Sequence, residues 1–258
     1  MVSYNKTSIK DKYGDVKVIG ITTFESISEL VDQGKSMKNN PTYKSTPEEA
    51  MQDGSSWNGG ATSYDKAMAM MYGQTKISDD IGQSLFHAPV KTQKKIVRKV
   101  TGSVPNVALS TMGVPNCMIT REVKKETVTR IYIDISGNCG ESADKLTERF
   151  KPKVNKIAEY MKSSDKVEIN YYNIAEDNSK YTITIIKVKR FEQPISVSRM
   201  MAPLTNAVLF RVFIIPAIEV AYKHFHGYRP WGLGHPYQGQ ENVDMMNKIF
   251  GSLDRVYL

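Results

Sequence analysis

Thr127-Val128-Thr129-Arg130-Ile131-Tyr132-Ile133-Asp134-Ile135 is the stretch on which the fold turns. β-Branched and apolar side chains dominate it and alternate along it, which predicts a strand that ends where Ser136-Gly137-Asn138 begins. Downstream, Ser142–Lys162 puts Leu146, Phe150, Val154, Ile157, Ala158 and Met161 on one helical face, with Pro152 marking a kink or a restart. Val167–Ile174 reads as a second strand and Lys180–Lys189 as a third, joined by a polar turn containing Glu176, Asp177 and Asn178. Strand, helix, strand in that order predicts two parallel strands joined by a right-handed crossover, with 127–135 central and buried on both faces.

Working outward, Asn206–His224 is a long apolar helix candidate interrupted at Pro216, and Val243–Phe250 is a last helix stopped by Gly251. Upstream, Val16–Phe24 is a β-type run, and a helix opens at Ser26 and ends at Gly34. Thr46 can cap a short helix over Pro47–Gln52. Ser63 can cap another, whose Tyr64, Ala67, Met68, Met71 and Tyr72 share a face and which Gly73 stops. Ile77–Val100 is helix-like, broken by Pro89, and carries Lys91, Lys94, Lys95, Arg98 and Lys99. Gly102, Pro105, Gly113 and Pro115 punctuate what reads as extended loop. A boundary drawn there gives a helix-rich N-terminal region, 1–100, and an α/β domain, 101–258.

The chain has 258 residues, 40% of them hydrophobic and 24% charged, which places it among globular proteins able to bury a core. No apolar run approaches the roughly 18–20 residues of a membrane span, and the first fifteen residues hold no secretory apolar segment, so a cytoplasmic protein with no membrane partner is expected. Two cysteines, Cys117 and Cys139, make neither a disulfide framework nor a four-cysteine metal site. The net charge of +8 suits nucleic acid or another anionic surface, and equally a basic protein that is merely soluble.

The sharpest local signal is Asp134-Ile135-Ser136-Gly137-Asn138 at the end of the predicted strand. A carboxylate and two small polar side chains spaced two apart can converge on a hard cation such as Mg²⁺ at the C-terminal edge of a sheet, where open α/β sheets place ligands. A strand-end carboxylate of this kind is expected to face solvent, so that Asp134→Ala leaves folding nearly intact. His224-Phe225-His226 is a weak zinc pattern without a third ligand, and Cys139 reads as a packing residue. The five cations from Lys91 to Lys99 read as a solvated helix face or, alternatively, as phosphate contacts. Rings at Tyr171, Tyr172, Tyr181, Phe191, Tyr222, Phe225, Tyr228, Trp231 and Tyr237, among Lys187, Lys189, Arg190, Arg199, Arg211 and Arg229, either pack in the core or stack on bases.

The Asp134–Asn138 run resembles the metal-ion-dependent adhesion site of von Willebrand factor A-like domains, in which Asp-x-Ser-x-Ser follows the first strand. Leu204-Thr205-Asn206, opening a helix after the strand pair, is similar to the threonine segment of that site. The resemblance implies a three-layer, mostly parallel sheet, with Asp134, Ser136, Asn138 and Thr205 around a weakly bound Mg²⁺ or none, completed by a partner's acidic side chain. It departs from the family at Asn138, where serine is usual, and after His224, where an apolar strand ending in aspartate is replaced by Phe225-His226-Gly227-Tyr228. Ser56-Trp57-Asn58-Gly59-Gly60 and Gly113-Val114-Pro115-Asn116-Cys117 resemble segments of uncharacterised bacteriophage proteins, which implies a viral origin. Together these readings lead to a non-enzymatic phage-type binding or assembly protein. Its expected partners are phage or host proteins, or further copies of itself, in the host cytoplasm or on the virion. The alternative is a basic nucleic-acid-binding protein.

Overall fold

The computed structural model describes residues 1–10, 16–37, 60–72, 95–99, 104–115, 118–122, 128–137, 166–192, 208–228, 230, 240–252 and 254–258. It also describes positions 142, 145, 148, 149, 152, 153, 156, 157, 159 and 160. The fold is mixed α/β. Its main sheet has six strands: β1 (Ser3–Lys10), β2 (Val16–Phe24), β6 (Thr129–Asp134), β7 (Val167–Asp177), β8 (Lys180–Lys189) and β9 (Arg255–Tyr257), in the order β1-β2-β8-β7-β6-β9. A smaller sheet holds β3 (Lys95–Lys99), β5 (Met118–Glu122) and β4 (Val104–Pro105), in that order.

The parallel strand–helix–strand unit is present. β6 pairs in parallel with β7, and Ile131 and Ile133 are fully buried. The described positions from 145 to 160 are helical (α4), and Lys145 N–H donates to Ser142 Oγ at 3.3 Å, as a helix start requires. β6 also pairs in parallel with β9, and β2 with β8. The sheet is nevertheless not parallel throughout, because β1–β2 and β7–β8 are antiparallel. The reason at β7–β8 is the turn: Asn178 (φ 51°) and Ser179 (φ 60°) both adopt positive φ, the signature of a two-residue hairpin, and a link that short can join only antiparallel strands. β6 is accordingly second from one edge of the sheet, with Tyr132 only half-buried.

Strands β1 and β2, from within residues 1–100, belong to the same sheet as β6–β9. β1 carries no clean alternation: it is an edge strand, largely exposed, and its half-buried residues Tyr4, Thr7 and Ile9 are divided between its two faces. Residues 95–99, read from sequence as the end of a basic helix, form strand β3. The β-branched pair Ile96-Val97 suits a strand, and Met118–Glu122 supplies an antiparallel partner along its whole length. The expected loop after Gly102 contains β4 and a short helix, α3 (Val107–Thr111), started by Asn106, whose Oδ1 accepts from Leu109 N–H at 3.3 Å.

Other helices begin where capping chemistry places them. Helix α1 (Ile27–Met37) starts with Glu29 N–H on Ser26 Oγ (3.2 Å) while the Glu29 carboxylate takes Glu25 N–H (2.8 Å), and it runs through Gly34 rather than stopping there. Helix α2 (Tyr64–Tyr72) has Lys66 N–H on Ser63 Oγ (3.2 Å) and buries Ala67 and Met71. The predicted break at Pro216 takes the form of a wide π-helical turn, Leu209–Ile214, leading into α5 (Ile215–His226). Proline lacks the N–H and its ring crowds the carbonyl four residues back, and a widened turn relieves both. Gly227 (φ 76°) closes α5 and Gly251 (φ 77°) closes α6 (Gln240–Phe250).

Strand alternation sorts the core into two layers on opposite sides of the sheet. Phe24, Ile131, Ile133, Ile169, Tyr171 and Ile186 pack with α1, α2 and α5, while Ile19, Ile21, Tyr172, Ile174, Tyr181 and Ile183 pack with Met245 and Met246 of α6. No helix of the described residues is long and apolar enough to cross a membrane.

Candidate functional site

Asp134 ends β6 and is 7% exposed, with Ser136 at 3% just beyond it. The expectation that this carboxylate faces solvent is therefore overturned. Helix α6 lies over that face of the sheet and places Asn242, fully buried, directly against it. Asn242 Nδ2 donates to Asp134 Oδ2 at 2.7 Å and lies 3.4 Å from Ser136 Oγ. The other carboxylate oxygen, Oδ1, accepts Ser136 N–H at 2.8 Å, and Ser136 Oγ accepts Ile174 N–H from β7 at 3.1 Å. Each side-chain oxygen of Asp134 and Ser136 therefore receives a hydrogen bond from the protein itself.

Two cations of α4 approach the same turn from the side. Lys153 Nζ donates to the Asp134 carbonyl at 2.6 Å and to that of Leu258 at 3.3 Å, and Arg149 donates to the Ser136 carbonyl. Leu258 in turn exchanges backbone bonds with β6, accepting from Asp134 N–H and donating to Tyr132, both at 2.8 Å. The Lys153 ammonium ties the end of β6 to the residue after β9.

As arranged, the described residues of the turn, Asp134, Ser136 and Asn242, engage one another. Among them one carboxylate is present, and the Asn242 amide nitrogen, a proton donor, lies against its Oδ2. Asp134 and Ser136 lie together in the turn, while Asn138 and Thr205 lie outside the described residues. Among those residues no group of three His, Cys, Asp or Glu is placed to hold a metal ion. Asn242 carries no signal in the sequence: it is one of two asparagines in Gln240–Phe250, and its partner is 108 positions away.

The family model described as "Domain of unknown function (DUF7192)" matches residues 9–252. The chain belongs to this family. The matched range includes residue 100. No curated protein and no solved structure matches the chain.

The other sequence candidates in this DUF7192 chain fall differently. Of the basic run, Lys95, Arg98 and Lys99 sit on strand β3, while Lys91 and Lys94 lie outside the described residues. Tyr171, Tyr172, Tyr181 and Tyr222 are buried core rings and offer no face to a base. Phe191, Phe225 and Tyr228 are half-buried, whereas Trp231 and Tyr237 lie outside the described residues. Lys187 and Arg190 both pair with Glu25, and Lys189 donates to the Val167 carbonyl at 2.8 Å. His224 packs on Tyr4 (ring centroids 4.3 Å apart) and His226 on Tyr222 (5.2 Å). Two residues apart on one helix, the two histidines point to different sides. Cys139 lies outside the described residues.

Burial, with repulsion from Arg149 and Lys156 adding to it and Asp134 opposing it, lowers the Lys153 pKa from 10.5 to about 8. The unfolded chain therefore binds one more proton than the folded one between about pH 8 and 10.5, so this group makes stability rise with pH across that window. Below it both states are protonated and the cost of burying the ammonium is complete. The rise amounts to at most about 3 kcal/mol. Urea midpoints should climb from pH 8 to 10 in the wild type relative to Lys153→Met, and parallel curves for the two proteins would count against a depressed lysine.

Proposed function

We propose that this DUF7192 chain is a non-enzymatic binding or assembly protein of the three-layer, von Willebrand A-like type. It makes protein–protein contacts at the C-terminal edge of β6 and β7. The observation that carries this reading is the convergence of Asp134, Ser136, Asn242, Arg149 and Lys153 at the carboxyl end of a parallel strand pair, where open α/β sheets present their ligands. Fixed internal donors take the place of a cation at Asp134, so contact at this edge is independent of Mg²⁺. Packing from both sides of the sheet and hydrogen bonds from α6 and α4 hold the turn rigid, which lowers the ordering cost of binding.

The test is capture of a partner by the immobilised full chain from cells that naturally make it. Wild type and Lys6→Glu, on β1 at the opposite edge of the sheet, should retain the partner, whereas Arg149→Glu should lose it. Lys145→Glu, at an exposed position, serves as a second edge variant should Arg149→Glu melt early. Capture that survives both edge variants, or that Lys6→Glu abolishes, would contradict the assignment.

A further inference from the structure

Helix α4 carries more than the two cations that touch the Asp134 turn. Lys145, Arg149, Lys153 and Lys156 all have helical backbone, and at 100° per residue their positions fall within an arc of about 80°. Lys145 and Lys156 are exposed, and Arg149 and Lys153 are half-buried where the helix meets the sheet edge. Ile157, fully buried, points to the core on one side of this arc. Glu148 and Glu159, both exposed, border its other side. The cations sense one another, since Arg149 and Lys156 both disfavour the charged form of Lys153.

We infer that the stripe Lys145–Arg149–Lys153–Lys156 is a recognition surface for an acidic segment of a partner protein. The inference rests on the reading of this edge as a protein-binding face and names the chemistry of its ligand. Charge complementarity selects an anion: four cations in one line beside a rigid turn attract a chain of carboxylates and fix its register. The bordering carboxylates select the shape of that anion. An extended acidic peptide can follow the cations alone, whereas nucleic acid, wider and charged along its whole length, meets Glu148 and Glu159 as well. Like charges brought together in this way act against the wrong partner.

The experiment uses the full chain and a short fluorescein-labelled Asp/Glu-rich peptide, read by fluorescence anisotropy at low salt. Binding should be saturable and should weaken as salt is added. The triple variant Lys145→Gln/Arg149→Gln/Lys156→Gln should bind about tenfold more weakly, with unchanged circular dichroism. Lys153 is left intact because it ties Asp134 to Leu258. If the triple variant does not fold, Lys145→Gln and Lys156→Gln singly should each cost about twofold to threefold. Absence of peptide binding at low salt overturns the inference, as does a variant series that binds like the parent. Displacement of the peptide by single-stranded DNA of equal charge at lower concentration overturns it in favour of nucleic acid. A failed peptide with partner capture still lost in Arg149→Glu removes the ligand class alone, while failure of both removes the edge.

Discussion

Asp134→Ala should destabilise the protein by about 2–4 kcal/mol, because it strands two buried donors at once. Asn242 Nδ2 and Ser136 N–H both end on the Asp134 carboxylate, at 2.7 and 2.8 Å, in a site from which water is excluded. A buried donor without a partner costs about 1–3 kcal/mol, far more than the net gain from a hydrogen bond that is exchanged for one to water. Asn242→Leu, which removes the donor and leaves the carboxylate buried, should be damaging as well. The pair should show a coupling of about 1–3 kcal/mol in a double-mutant cycle, since the two residues share one bond. Urea unfolding of the four proteins gives the cycle directly. An Asp134→Ala protein within about 0.5 kcal/mol of wild type would mean that the carboxylate behaves as a surface group.

Gly20→Ala should cost about 1–3 kcal/mol, through overpacking rather than through backbone conformation. Gly20 lies in β2 on the face that α5 covers, and a Cβ added there would stand 2.1 Å from Phe225 Cδ2 and 2.4 Å from Cγ. Its row across the sheet is made of small residues, Gly20 opposite Thr182 and Thr182 opposite Ala175, which lets α5 approach closely. Tyr222, one turn earlier on α5, uses that closeness to donate to the carbonyls of Ala175 (3.0 Å) and Lys180 (2.8 Å). Phe225 packs edge-on against Tyr4 (5.9 Å) and beside His224, so displacing its ring disturbs both contacts. Phe225→Ala should cost stability alone yet rescue Gly20→Ala, making the double variant less damaged than the sum of the singles. Simple additivity would show that the ring and the glycine do not oppose each other.

The parts of the fold legible in sequence were those whose signal is local. Thr129–Asp134, Val167–Asp177 and Lys180–Lys189 bury one or both faces and so carry apolar and β-branched runs, and Ser26, Ser63 and Ser142 mark helix starts by their own chemistry. β1 has no local signal, because an edge strand that is largely solvated has no reason to alternate strictly and its sequence Ser3–Lys10 is mostly polar. The run Lys95–Lys99 was misassigned because its charges suit a helix face as well as a strand; only its pairing with Met118–Glu122 distinguishes the two. At the site, Asp134 and Ser136 were legible as a turn. Their chemistry was not, since whether a carboxylate meets a cation, water or an amide depends on what the chain brings back from far away. Asn242 returns on α6, over a hundred residues later, and it turns a carboxylate expected to face solvent into a buried acceptor.

That conversion is most directly tested by measuring how the captured complex depends on divalent metal. Wild-type protein and partner should associate equally in Mg²⁺ and in excess EDTA, because the chain's own donors already satisfy Asp134. A complex lost in EDTA and restored by Mg²⁺ would contradict this account and return Asp134 to the role of metal ligand.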